Sequence, residues 1–256
     1  MHARAETPVA ARRSLRPWNG LVSAIAFLTI LPVPSAGESG LGSAAAWFPV
    51  VGAGVGALAG GVRLLCGEAV GATVATVLAM IVLVVVTGAL HQDGLADTAD
   101  GLGVRGDRAR RLEVMRDSST GVFGALALIG WALLLYTTVA SLGGGDALRA
   151  LVVACALARW AALAHAAATS PARSDGLGAA LHVGKVALGV ATALAAIIAL
   201  GVGGLVPGAA AIGTAVVVAW LSVLFARGTL GGRTGDTLGA TVALVEVAVC
   251  VVLLGV

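Results

Sequence analysis

Apolar residues run along this chain in blocks of about twenty, separated by short polar breaks. The blocks fall at 43–65, 70–90, 121–142, 147–169, 186–206, 208–226 and 238–256. A helix of about 20 apolar residues crosses a hydrocarbon core of about 30 Å, so seven spans are predicted. The alternating ten-residue pattern of barrel strands is missing, and in lipid only helices or closed barrels satisfy the backbone. The fold class is therefore all-α, a polytopic transmembrane helical bundle forming one domain over 1–256. A further apolar stretch, 21–31 (LVSAIAFLTIL), is too short to cross, and Pro32 and Pro34 stop it. It is predicted to be a short re-entrant or interfacial helix.

The spans are rich in Gly and Ala, as in 51–61 (VGAGVGALAGG). Gly52, Gly54 and Gly56 have part of the spacing of a dinucleotide fingerprint, but neither a strand nor a soluble helix flanks them. Close helix packing through small residues is the better reading. No internal repeat supports an inverted-repeat transporter.

One stretch breaks the pattern. Residues 91–121, HQDGLADTADGLGVRGDRARRLEVMRDSSTG, hold six of the thirteen acidic and five of the sixteen basic residues. Some twenty uncharged residues lie on either side. Composition sharpens the contrast: 59% of the chain is hydrophobic, 11% is charged and the mean hydropathy is +1.00. Soluble domains carry roughly 25% charged residues, so a soluble globule is excluded.

Charge then orients the spans. Fifteen of the sixteen positive residues are Arg, and thirteen of the sixteen fall in 1–42, 91–120, 170–185 and 227–237. The alternate connections 66–69, 143–146 and 207 hold none, while Arg63, Arg149 and Arg159 lie in or at the edge of spans. By the positive-inside rule the N-terminus is cytoplasmic. Residues 1–20 read as a cytoplasmic tail, and 91–120 as a cytoplasmic catalytic segment. The net charge of +3 reflects this topology rather than nucleic-acid binding. Cys66, Cys155 and Cys250 have neither disulfide nor metal spacing.

The chemistry gathers at the cytoplasmic ends. Asp93, Asp97 and Asp100 are offset by four and three residues, so they share one face if the second span continues as a helix. Three carboxylates on one face repel, and Mg²⁺ would relieve this while recruiting substrate phosphates. Gly94, Gly101 and Gly103 weaken that helix and make room for a bulky ligand or another helix. His91 sits at the membrane edge as a ligand, a proton shuttle or an interfacial hydrogen-bonder. Arg105, Arg108, Arg110, Arg111 and Arg116 follow, interleaved with Asp107, Glu113 and Asp117. Arg offers planar, bidentate contacts to phosphate. Arg105 and Arg116 are the preferred candidates, because the middle three serve equally well as topology markers at the headgroups.

A second polar segment, 227–246 (RGTLGGRTGDTLGATVALVE), carries Gly231, Gly232, Arg233, Gly235 and Asp236 into the last span. Such a loop can present N–H groups to phosphate. Glu246 lies about 15 Å further along, where a buried carboxylate is functional or paired. Arg159 and His165 fall under the same rule, and an Arg159–Glu246 pair is the structural alternative. The connection 169–185, with Arg173, Asp175, His182 and Lys185, ranks lowest. Asp97-Thr-Ala-Asp100-Gly101 with Arg105 also matches half of the metal motif of CDP-alcohol phosphotransferases. The second half is missing.

Five ordered motifs carry a resemblance that runs almost end to end. Phe27-Leu-Thr-Ile-Leu-Pro-Val-Pro34 resembles FLTRLPVP, and Trp47-Phe-Pro-Val-Val-Gly52 resembles WFPLVG. His91 to Leu102 resembles HxDGLADTxDGL. Arg111 to Ser118, with Gly121 and Gly124, resembles RLEIMKDSxxGxxG. Gly232 to Ala240, with Glu246, resembles GGxTGDxLGA…E. These are motifs of the cobalamin synthase family, the adenosylcobinamide-GDP ribazoletransferases. Three positions depart from its pattern: Ile30 replaces the usual Arg, Arg116 a common Lys, and Ala243 a second late Glu.

The resemblance implies an enzyme. α-Ribazole, or its 5′-phosphate, displaces GMP from adenosylcobinamide-GDP with Mg²⁺ as cofactor, giving adenosylcobalamin or its phosphate. It implies Asp93, Asp97, Asp100 and Asp236 as metal ligands, and Arg105, Arg116 and Asp117 beside them in catalysis. His91, Gly94, Gly101, Arg111, Gly232, Arg233, Gly235 and Glu246 would bind substrate. The expected setting is the bacterial or archaeal cytoplasmic membrane, with the site facing the cytoplasm and membrane lipid around the bundle. This leaves room for a homo-oligomer. The competing readings are a CDP-alcohol-type phosphotransferase and a corrinoid transporter.

Overall fold

A computed structural model describes residues 17–33 and 41–256. Most of the expected 1–20 tail, together with Pro34, lies outside the described residues. The helices are α1 (Pro17–Leu28), α2 (Leu41–Ala44, running into a 3₁₀ turn), α3 (Phe48–Val86), α4 (Leu90–Gly103) and α5 (Arg108–Val114). Then come α6 (Val122–Ser141), α7 (Gly144–Ala168), α8 (Leu177–Ala180), α9 (Lys185–Gly203), α10 (Leu205–Phe225) and α11 (Gly235–Leu254). Among the described residues, the nearest thing to a strand is one isolated bridge between Pro171 and Arg233.

Six of these helical segments are long and apolar enough to cross a membrane, the first running Gly42–Val86. That first segment makes two passes. The 39 residues of α3 would reach about 58 Å if straight, yet Val86 lines the same cavity as Val50, Val51 and Val55. The reversal is at Gly71, whose φ of 80° and ψ of 157° suit a residue without a Cβ. Seven passes result, as the apolar blocks predict. The turn, however, sits at Gly71 rather than 66–69. The α9–α10 hairpin turns at Gly204, φ 89°, rather than at 207.

The second pass also ends earlier than expected. Thr87 to Ala89 form a turn in which Gly88 and Ala89 take positive φ values of 60° and 58°, so α4 is a new helix and not a continuation. The acidic offsets survive, because Asp93, Asp97 and Asp100 all fall within α4. The N-terminal segment α1 has twelve residues, too few to cross, and the Ile30 N–H just beyond it donates to the Val86 carbonyl at 2.9 Å.

Helices α7 and α11 form the centre. In their most apolar stretches 72% and 67% of residues are buried, against 17–28% in the other crossing segments, whose Leu, Val and Ile side chains face lipid. Glycine sets the approach of α3 to α7. A Cβ on Gly52, Gly56 or Gly60 would come within 2.3–2.7 Å of α7 backbone at Cys155, Leu151 and Leu148. This four-residue ladder is small-residue packing in lipid, where dispersion contacts between close backbones replace the hydrophobic drive. Gly54 points elsewhere, with nothing within 4 Å of its would-be Cβ. The pair makes a test. Gly56→Ala should destabilise the detergent-solubilised protein by on the order of 1–3 kcal/mol. Gly54→Ala should be neutral or add up to about 1 kcal/mol through helix propensity. Equal melting temperatures for the two variants would refute the ladder.

Candidate active site

The site forms where α4 crosses the start of α11. A Cβ on Gly94 would lie 2.7 Å from the Asp236 carbonyl, and one on Gly239 would lie 3.2 Å from the Leu90 carbonyl. The two backbones therefore pack with no side chain between them, and this brings Asp236 beside the acidic face of α4. The N-terminus of α11 is fixed by reciprocal caps: Thr237 N–H donates to Thr234 Oγ1 at 3.1 Å, and Thr234 N–H to Thr237 Oγ1 at 2.9 Å. Asp236 sits in the first turn, where the helix dipole favours a carboxylate.

The carboxylates are not equivalent. Asp93 is exposed and Asp97 half-buried, and neither takes part in an ion pair. Partial burial, followed by the charges of Asp93, Asp236 and Asp100, pushes the Asp97 carboxyl up to about 6, with Arg173 opposing. Asp236 Oδ2 accepts from Arg173 Nη2 at 2.7 Å. Asp100 lies on the same face of α4 but is already engaged. Its two oxygens accept the N–H groups of Gly121 and Gly124, at 2.7 and 2.9 Å, and so cap the start of α6. It retains lone pairs, but its first task is structural.

Arg173 belongs to the connection that ranked lowest in the sequence. Three arginines hold that connection in place. Arg233 donates to the carbonyls of Gly178 at 2.9 Å, Leu181 at 3.0 Å and Thr169. Arg108 donates to Ala172 at 2.7 Å and Arg227 to Ala168. Arg233 was expected to bind substrate. Its buried guanidinium is instead committed to backbone acceptors, and it clamps the segment that carries Arg173. Gly232 shares this clamp, since a Cβ there would meet the Ser170 carbonyl at 2.3 Å. Gly235 lies against Leu177. The signal for Arg173 was its isolation as the lone basic residue between Arg159 and Lys185. The carbonyls that fix its loop leave no trace in the sequence.

The remaining candidates separate. Arg116 pairs with Asp175, one nitrogen 2.8 and 2.9 Å from the two oxygens, on the exposed surface. Arg105 is exposed and Arg111 partly so. Gly101 lets α4 touch α5, its would-be Cβ 2.5 Å from Met115. Asp117 accepts from Ser119 N–H at 2.9 Å and Ser119 Oγ at 2.6 Å. Glu246 makes the alternative contact, a buried ion pair with Arg159. Arg159 also approaches His91 Nδ1 at 3.5 Å. This group lies in the core rather than in the acidic row, so Glu246 and His91 hold helices together. Among the described residues no three His, Cys, Asp or Glu side chains converge to hold a metal ion alone. Mg²⁺ commonly takes only one or two carboxylates plus substrate phosphates. Asp93 and Asp97, unpaired and mutually repelling across from Asp236, fit that habit.

A family model described as cobalamin-5-phosphate synthase matches residues 20–254. Adenosylcobinamide-GDP ribazoletransferases of Shigella flexneri and of Escherichia coli strain K12 are each 38% identical over 244 residues, covering 90% of this chain and 97% of theirs. No solved structure matches.

The shift at Asp97 sets a pH test. Its charged form is disfavoured in the folded protein, so the penalty is full above a pH of about 6 and absent below the unfolded value near 3.8. In metal-free protein Asp97→Asn should raise the melting temperature at a pH of about 7.5, and the gain should fade as the pH falls towards about 4. No gain at the higher pH would mean that the carboxylates do not repel.

Proposed function

The chain belongs to the cobalamin-5-phosphate synthase family, and on that premise we propose the reaction performed at the α4–α11 crossing. It joins adenosylcobinamide-GDP to α-ribazole, or its 5′-phosphate, and releases GMP. A ribazole hydroxyl oxygen bonds to the phosphorus that carries cobinamide, and the P–O bond to the GMP phosphate breaks. The hydroxyl proton passes to a carboxylate, and the electron pair leaves with GMP. The observation that carries this reading is the unpaired Asp93 and Asp97 facing Asp236 and Arg173.

The residues have distinct tasks. Asp93, Asp97 and Asp236 would hold Mg²⁺, which when bound would share its coordination with the pyrophosphate oxygens and screen their charge. Arg173 supplies a planar cation at the same place, suited to the charge that builds on the departing phosphate. Gly94 and Gly239 let the α4 and α11 backbones touch, and that contact is what brings Asp236 to the acidic row. Basic residues concentrated on this face support a cytoplasmic orientation, and bacterial relatives fit an inner-membrane enzyme.

Purified protein supplied with adenosylcobinamide-GDP, α-ribazole and Mg²⁺ should form the cobalamin product with equimolar GMP. Chelation should stop it. Arg173→Ala should lower turnover by roughly a hundredfold or more, with partial recovery in Arg173→Lys. Corrinoid movement across vesicles without GMP release would replace the transferase by a transporter. For orientation, cysteines at Arg105 and Ser174 should be labelled only from the cytoplasmic side, and one at Gly145 only from outside. The reverse pattern would invert the topology.

A further inference from the structure

A second cavity, of about 230 Å³, lies between the end of α4 and the start of α6. Its walls include Gly103, Val104, Val114 and Phe123, with Asp117 and Ser119 also lining it. Whole-ligand pockets run to about 300–1,000 Å³, so this one suits a single ring system. We propose that it binds the guanine base of the nucleotide half of the substrate, with Asp117 as the specificity-determining residue and Phe123 as the stacking surface. The proposal rests on the transferase reading above and assigns a subsite within it.

Phe123 supplies the platform. Its ring packs so closely on Gly103 that a Cβ there would lie 2.0 Å from it. Only a glycine admits the ring at that point, and backbone behind it limits its movement. Yet the residue keeps 56% of its surface exposed beside the cavity. An aromatic ring held in this way stacks any base, at low cost in conformational freedom.

Asp117 supplies the choice among bases. Its Oδ1 accepts both Ser119 contacts, at 2.9 and 2.6 Å, which orients the carboxylate and leaves Oδ2 without a protein partner. Those two hydrogen bonds hold the carboxyl below the usual carboxylate range, so it is an acceptor only. Guanine presents two donors on one edge, N1–H and the 2-amino group. Oδ2, with two lone pairs, can take both. Adenine presents an unprotonated N1 there and would be repelled.

The position is also consistent. Asp100 lines the same cavity and sits one turn beyond Asp97. It competes poorly for the base, because each of its oxygens already accepts an N–H, from Gly121 or Gly124. A base in the cavity would therefore sit one turn beyond Asp97, with its phosphates directed along the acidic face towards Asp97, Asp93 and Arg173.

The test uses the full-length protein in detergent with three competing nucleotides: GMP, IMP (which lacks the 2-amino group) and XMP (which carries oxygen there). Wild-type protein should bind GMP about tenfold more tightly than IMP, the scale of one hydrogen bond to a charged, exposed acceptor such as Asp117. In Asp117→Asn the GMP preference should collapse, and XMP should overtake GMP because the amide can donate to the 2-oxygen. Phe123→Leu should weaken all three alike. An unchanged GMP-to-IMP ratio in Asp117→Asn overturns the proposal. So does unchanged nucleotide affinity in Phe123→Leu, which would make the ring a lipid anchor only. Gain of XMP affinity guards against the case where the variant merely misfolds. Cobalamin formation with unaltered base selectivity sinks the subsite alone, whereas a wild type that forms no product and binds no nucleotide sinks the transferase reading.

Discussion

Arg159 and Glu246 meet at the centre of the bundle, one on α7 and the other on α11, each almost wholly buried. An unpaired charge at that depth is prohibitive, and breaking a buried pair by removing one partner costs about 3–5 kcal/mol. The pair therefore dictates how α7 and α11 can slide or rotate against each other. Arg159 also leans towards His91 at the start of α4, so one contact ties together the helix that bears the acidic row, the helix that bears Asp236, and the core between them. Each other charge at the site takes its place relative to that frame.

Glycine makes the frame compact. In lipid, helices gain little by hiding apolar side chains from one another, and close backbone approach takes over. The Gly52, Gly56 and Gly60 ladder sets α3 on α7, while Gly94 and Gly239 set α4 on α11. The second contact has a chemical consequence. It places carboxylates of two distant chain segments so close that they raise one another's proton affinity, which is the condition a divalent cation relieves.

The arginines divide by what they can reach. Arg233, Arg108 and Arg227 satisfy carbonyls of the 168–181 connection, doing for an irregular loop what backbone ladders do for a helix. Their effect is to hold Arg173 on Asp236. The basic residues of the site thus form a support and a working group, and the support is the larger.

The helical membrane fold, the seven passes, the short first helix and the face shared by Asp93, Asp97 and Asp100 are all legible in the chain alone. All of these follow from local rules: the thickness of the bilayer, the spacing of turns in a helix, the cost of charge in lipid. The family resemblance adds Asp236 to that row. Which charged groups are already spent depends on packing in space. Arg116 has Asp175, Glu246 has Arg159, and Arg233 has backbone carbonyls, while Arg173 reaches the carboxylates. Even the turn at Gly71 and the break at Ala89 depend on what packs alongside. Hydropathy is a property of a residue and its near neighbours. The partner of a charge is a property of distance in space, and two arginines of one chain can end on backbone carbonyls and on a carboxylate.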